Sequence, residues 1–268
     1  MRLNSIFMKH SLPNFSTRIL VVLFCAVNLW GCATQPRITK PIQKYTHGPV
    51  TIYGAGGISG VHDVYHVVGP SETLWRIGKI YDVDINTIMK ANRIDDPTKI
   101  NNGQRLLVPN AKSPKPVIPL YPSRRWTHIV IHHTATEVGN AFSIDQIHQK
   151  RGFWNGLGYH FLVDNGTGGK VDGQIEVGPR WIKQMQGAHA NAAGMNDHGI
   201  GISVVGNYSE TYLTQAELNS LAFLVRTLQE YYKIPAHNVI RHDDVPGKNT
   251  ECPGKNFPWQ RFKSMIRP

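Results

Sequence analysis

Apolar residues at 218, 221, 222, 225, 228 and 232 recur at the i, i+3, i+4 and i+7 spacing of a helix with one buried face. The T-x-x-E run at Thr214 to Glu217 just before them is a capping box, so the helix should start after Thr214. Phe142 to Arg151 repeats the helical pattern, with Ile144, Ile147 and His148 on one side. A period of two marks RRWTHIVIHH instead, with Ile129, Ile131 and His133 on one face and His128, Val130 and His132 on the other. Neighbouring side chains on a strand face opposite ways, so only one of His132 and His133 can enter a given site. GYHFLVDNGTGG reads as a second strand closed by a glycine-rich turn, and GIGISVVGNY as a third, short and apolar enough to be central. VIRHDD predicts a further strand, edge or central, that delivers His242 to the top of the sheet. The expected fold class is α/β, with a mixed central β-sheet flanked by helices.

Upstream, a smaller unit reads as strand, two helices and strand. Tyr65 to Val68 is strand-like, and Ser71 begins S-x-x-L before Leu74 to Tyr81, where positions 74, 77 and 81 share a helical face. Asp84 to Ala91 repeats the pattern with Ile85, Ile88 and Met89, and Gly103 to Pro109 closes with RLLVP. Trp75 and Tyr81 are expected to be core residues of this small α+β module. Proline marks the seams. AKSPKPVIPLYP, from Ala111 to Pro122, carries four prolines and should be extended and stiff. The predicted organisation is a leader at 1–31, a Pro-, Gly- and Thr-rich tether at 32–63, a small module at 64–109, a linker at 110–122 and a large domain at 123–268.

The leader changes the picture. Arg2, Lys9 and Arg18 precede an apolar run from Ile19 to Trp30, with no acidic residue before Cys32. That run is about a dozen residues, against roughly 20 for a bilayer-spanning helix, so it reads as a signal peptide. LWGC resembles a bacterial lipobox, which implies a lipid on Cys32 and a membrane-anchored envelope protein. Ala33 rather than Asp after the cysteine points to the outer membrane, facing the periplasm, in a Gram-negative host. Cys25 then leaves with the signal, and Cys252 is the sole remaining thiol available for chemistry. Removing three basic residues from the 29 Lys and Arg leaves 26 against 18 acidic residues, a net charge of +8. This suits a polyanionic surface such as the cell wall or anionic lipid, and export argues against nucleic acid.

A lone thiol outside the cytoplasm is oxidisable, and Cys252 lies ten positions after His242 in a polar loop. His132, His242 and Cys252 would make a His, His, Cys zinc site with one open position. Spacing alone leaves a second reading open, in which the histidines are structural and the cysteine is a small hydrophobe.

Two resemblances add to these readings. YHVVGPSETLWRIGKIYDV, IMKANRI and INNGQRLLVP are similar to the LysM domain, which implies binding of N-acetylglucosamine-containing glycans such as peptidoglycan. WTHIVIHHTAT, GLGYHFLVDNGTGGKVDGQ, QGAHANAAGMNDHGIGISVVGNYS and IRHDDVPGKNTECPGKNFPW resemble the zinc-dependent N-acetylmuramoyl-L-alanine amidases shared with peptidoglycan recognition proteins and phage lysozyme-type amidases. That resemblance implies zinc on His132, His242 and Cys252, an active-site tyrosine at Tyr159, and Thr250 at a position held by Lys or Thr. Ser203 stands where a subset of the family has Glu, so no carboxylate base is available there. His189, in GAHA, either serves the substrate as a donor or only hydrogen-bonds its loop. The implied reaction is hydrolysis of the amide between N-acetylmuramic acid and L-alanine of peptidoglycan. The LysM module would target the wall and favour polymeric substrate. The alternative is a non-catalytic peptidoglycan-binding envelope lipoprotein.

Overall fold

Burial of the two predicted periodicities builds two cores. The computed structural model describes residues 60–122 and 126–266. The leader, the lipobox with Cys32, and residues 32–59 of the tether lie outside the described residues. All described residues fall in one compact unit.

The small module is β1 (His62–Val67), α1 (Leu74–Tyr81), α2 (Ile85–Asn92) and β2 (Arg105–Ala111), with β1 and β2 antiparallel. Thr73 caps α1 by accepting from the Arg76 amide, and Asp84 caps α2. Leu74, Ile77, Ile80, Ile88, Leu106 and Val108 form the module core together with Tyr81. The Tyr81 hydroxyl is 3.0 Å from His66 Nδ1. The expectation that Trp75 is a core residue is corrected. One residue beyond buried Leu74 is about 100° further round the helix, and the Trp75 indole is 54% exposed.

The proline seam is extended, and both cores hold it. Lys112 and Lys115 donate their amides to Tyr81 and Ile80 carbonyls at 3.0 and 2.8 Å. Val117 packs into the module core while Ile118, the next residue, packs into the core of the large domain.

The large domain contains β3 (His128–His133), α3 (Ala141–Lys150), β4 (Phe161–Asn165), β5 (Asp172–Val177), short α4 (Pro179–Ile182) and α5 (Met195–His198), β6 (Gly199–Val204), α6 (Gln215–Tyr232), β7 (Val239–Arg241) and α7 (Trp259–Ile266). The sheet order is β5-β4-β6-β3-β7. β4, β6, β3 and β7 run parallel to their neighbours, and β5 is antiparallel to β4, so the sheet is mixed as expected. The capping box of α6 forms in both directions, with Thr214 accepting from the Glu217 amide and Glu217 accepting from the Thr214 amide. Ile129, Ile131, Phe161, Val163, Ile202 and Val204 bury one sheet face against Leu218, Leu221 and Leu228 of α6. Each such side chain contributes roughly 1.5–3 kcal/mol. β5 and α7 were not legible in the pattern.

The two modules meet through buried charge. Lys170 Nζ lies 2.6 Å from Glu176 Oε2, with side chains 1% and 5% exposed, and donates to the Val67 carbonyl of β1 at 2.9 Å. Glu176 Oε1 accepts the Ala141 amide at the start of α3. On the module side Glu72 takes His66 Nε2 at 2.7 Å and the Gly69 amide at 2.9 Å. Gly103, at φ +79°, lies against the Phe142 ring with no room for a β-carbon.

Candidate metal centre

Odd and even positions of the central strands divide the labour. On β6, Ile200, Ile202 and Val204 face the α6 core, which puts Gly201 and Ser203 on the opposite face with His132 of β3. His132 and Ser203 are register partners on these parallel strands. The next residue, His133, turns to the core side, where its Nδ1 accepts the Tyr208 amide at 3.1 Å. The alternation therefore separates the two histidines as the sequence implied.

β7 ends at Arg241, and a 3₁₀ turn from His242 to Asp244 follows. This places His242 at the carboxyl end of the parallel strands, the end where open α/β sheets bind ligands. The loop carrying Cys252 is tied to that turn by the Asp243 amide, which donates to the Cys252 carbonyl at 2.9 Å. One candidate ligand atom from each of His132, His242 and Cys252 lies within 4.8 Å of the other two. His132 Nδ1 is 3.7 Å from Cys252 Sγ, and the two imidazole centroids are 4.4 Å apart. The buried His242 Nε2 has no hydrogen-bond partner, which is the condition of a ligand atom awaiting an ion. Two nitrogens and one sulfur, converging and part-buried, fit zinc.

The electrostatics fit the same purpose. Burial and the neighbouring His189 and His242 hold His132 well below the usual imidazole range. Burial and the Lys248 ammonium bring His242 down to about 4. Both rings are thus neutral and able to donate a lone pair near neutral pH. Burial pushes the Cys252 thiol up to about 12, partly countered by the His133 amide that donates to Sγ at 3.4 Å. A cation is what would convert this thiol to a thiolate.

Tyr159, just before β4, stands with its ring centroid 5.2 Å from that of His132. Burial first, then the nearby Cys252, raise its hydroxyl to about 12, so it is a neutral hydrogen-bond donor. His148 of α3 lies 5.4 Å from Tyr159 on another side and accepts the Gly158 amide at 3.0 Å. Thr250 braces the cysteine loop, its Oγ1 accepting the Cys252 amide at 3.2 Å. Lys248 was not singled out in the sequence, and its charge is felt by both candidate ligands His132 and His242. Its place in the loop that returns Cys252 to His242 was the available signal.

His189 occupies a different position from the substrate-side one considered for it. It is 8% exposed and sits behind His132, with Nδ1 3.0 Å from His132 Nε2 and Nε2 3.2 Å from the Gly199 carbonyl. A β-carbon on Gly187 or Gly201 would run into its ring. Both ring nitrogens are committed inside the protein.

Comparison with known proteins follows the two-module division. Residues 122–255 match the family described as N-acetylmuramoyl-L-alanine amidase, and residues 66–109 match the LysM domain. Peptidoglycan-recognition protein SC2 of Drosophila melanogaster is 30% identical over 146 residues, covering 52% of this chain and 73% of that protein. The N-acetylmuramoyl-L-alanine amidase of Homo sapiens is 26% identical over 162 residues, covering 52% of this chain and 25% of that protein. Among solved structures, N-acetylmuramoyl-L-alanine amidase LysC from Clostridium intestinale is 38% identical and covers 53% of this chain and 85% of that one, with a TM-score of 0.45.

Proposed function

The chain belongs to the N-acetylmuramoyl-L-alanine amidase family and carries a LysM domain, and from that premise we propose that it is a zinc hydrolase of peptidoglycan. The bond it cuts is the amide joining the lactyl group of N-acetylmuramic acid to L-alanine. The observation that carries the reading is the convergence of His132, His242 and Cys252 at the carboxyl ends of β3 and β7. These three residues would hold the ion, which when bound supplies Lewis acidity and an acidified water near neutral pH.

The remaining chemistry belongs to the protein. Amide attack moves negative charge onto the carbonyl oxygen, which needs a donor aimed at it. Tyr159 presents a neutral hydroxyl beside His132 and is assigned that role. The Lys248 ammonium adds positive potential over the same site. Thr250 keeps the cysteine loop in place through its bond to the Cys252 amide. Ser203, completely buried opposite His132, brings no carboxylate to the site. Its hydroxyl is buried without a hydrogen-bond partner among the described residues.

The LysM module supports wall binding, and the sequence at Leu29 to Cys32 supports an outer envelope anchor through lipid on Cys32. Incorporation of labelled fatty acid into the native chain, and its loss in Cys32→Ala, tests the anchor. The catalytic reading is tested by incubating purified full-length chain with intact sacculi, with and without chelator, and analysing products by mass spectrometry. Free stem peptides beginning at L-alanine, abolished by chelator and restored by zinc, are expected. Wall binding without release of any new amine would leave the non-catalytic lipoprotein as the function.

A further inference from the structure

A metal-binding imidazole must choose which nitrogen to offer, and the structure sets that choice from behind. His189 Nε2 faces the Gly199 carbonyl oxygen at 3.2 Å. A carbonyl can only accept, so the His189 proton is on Nε2 and its Nδ1 is an acceptor. That Nδ1 lies 3.0 Å from His132 Nε2, which must therefore carry a proton of its own. The lone pair of His132 is left on Nδ1, and Nδ1 is the nitrogen 3.7 Å from Cys252 Sγ. The chain of bonds is directional throughout, from one backbone carbonyl to the candidate ligand atom.

We propose that His189 is a positioning residue that holds His132 in its Nε2-protonated tautomer and so selects Nδ1 as the zinc-binding nitrogen. This rests on reading the triad as a metal site, and goes beyond it by assigning a residue that touches neither metal nor substrate. The surroundings of His189 suit a fixed role. Asn196 Oδ1 accepts the amides of both His189 and Ala190, at 2.9 and 3.0 Å, which pins the backbone. Gly187 and Gly201 leave a slot the thickness of the ring, with no β-carbon on either to displace it. Gly201 is held in turn by its amide, which donates to His160 Nδ1 at 2.9 Å, and His160 Nε2 bonds the Met185 carbonyl at 3.0 Å. A ring held on every side can orient a ligand, but has no freedom to follow a reacting group.

Groups that orient a metal-binding histidine are commonly worth about 10- to 100-fold in metal affinity. The test is zinc affinity of the full chain by chelator competition in the wild type, in His189→Leu and in His189→Asn. Leu removes both bonds; Asn keeps an acceptor at the δ position and a donor beside it. About 10- to 100-fold weaker zinc binding in His189→Leu, with most of it regained in His189→Asn, is expected. Unchanged zinc affinity in His189→Leu alongside lost hydrolysis would overturn the assignment, since that pattern belongs to a residue acting on substrate. Nitrogen-15 spectra of the histidines in the metal-free wild type read the tautomer without any substitution. A proton on Nε2 of His132 supports the proposal, and a proton on Nδ1 overturns it even if the leucine variant does not fold. Should the wild type take no zinc at all, the metal reading fails while the tautomer result still decides this one.

Discussion

Tyr159 and His132 face each other across the candidate centre with their rings 5.2 Å apart, one a proton donor and the other a lone-pair donor. Their separation of roles predicts separable losses. Tyr159→Phe should reduce kcat about 10²- to 10³-fold, the usual effect of losing one oxyanion donor, while zinc content measured by atomic emission stays at the wild-type level. Equal loss of zinc would mark the tyrosine as structural.

Cys252→Ser should do the reverse and empty the site, because the softer sulfur is replaced by a hydroxyl that does not ionise. The pH dependence follows from the thiol. With Cys252 raised to about 12 and His242 near 4, binding at intermediate pH must expel the thiol proton. Zinc affinity should then rise about tenfold per pH unit between roughly pH 6 and 8, and chelator competition across that range measures the slope. A flat profile would mean that sulfur is not a ligand.

Lys170→Met is expected to be strongly destabilising. It leaves Glu176 buried against the module without its cation, and breaking such a pair commonly costs about 3–5 kcal/mol. Urea unfolding of the variant should show a lower midpoint, and trypsin should cut after Lys112 faster than in the wild type. Wild-type stability with an unchanged cleavage pattern would show that the contact between modules is dispensable.

Acid should loosen the same contact. Burial alone would raise the Glu72 carboxyl, but His66 and Lys170 facing it bring it from 4.5 down to about 2. Because the folded value is the lower one, its stabilisation is fully present above about pH 4.5 and is lost as pH falls toward 2. Thermal unfolding between roughly pH 5 and 3 should therefore decline more steeply in the wild type than in Glu72→Gln. Parallel declines would remove Glu72 from the account.

Strand and helix periodicity made β3, β4, β6 and α6 readable, because each buries a regular stripe of apolar residues in the core under α6. The order of the motifs placed His132, His242 and Cys252 in one centre. β5 was not readable for a physical reason. Gln174 and Glu176 are polar yet buried, and Glu176 is stabilised by Lys170 and the start of α3 rather than by its sequence neighbours. Trp75 misled because an apolar side chain beside a buried leucine suggests a core, whereas the helix turns it to solvent. His189 could be found in the sequence but not placed, since its role depends on which ring nitrogen meets which carbonyl.

Val117 and Ile118 are consecutive residues rooted in different cores, and a chain advances only about 3.3 Å per residue even when extended. Such a join has no slack. A glycan strand gripped by the LysM domain would therefore meet the catalytic cleft at one fixed offset, like stock clamped in a jig. Neighbouring stem peptides on the strand would come into range only when the grip is released and the whole body steps along. Cuts along a long strand should then fall at regular intervals set by protein geometry.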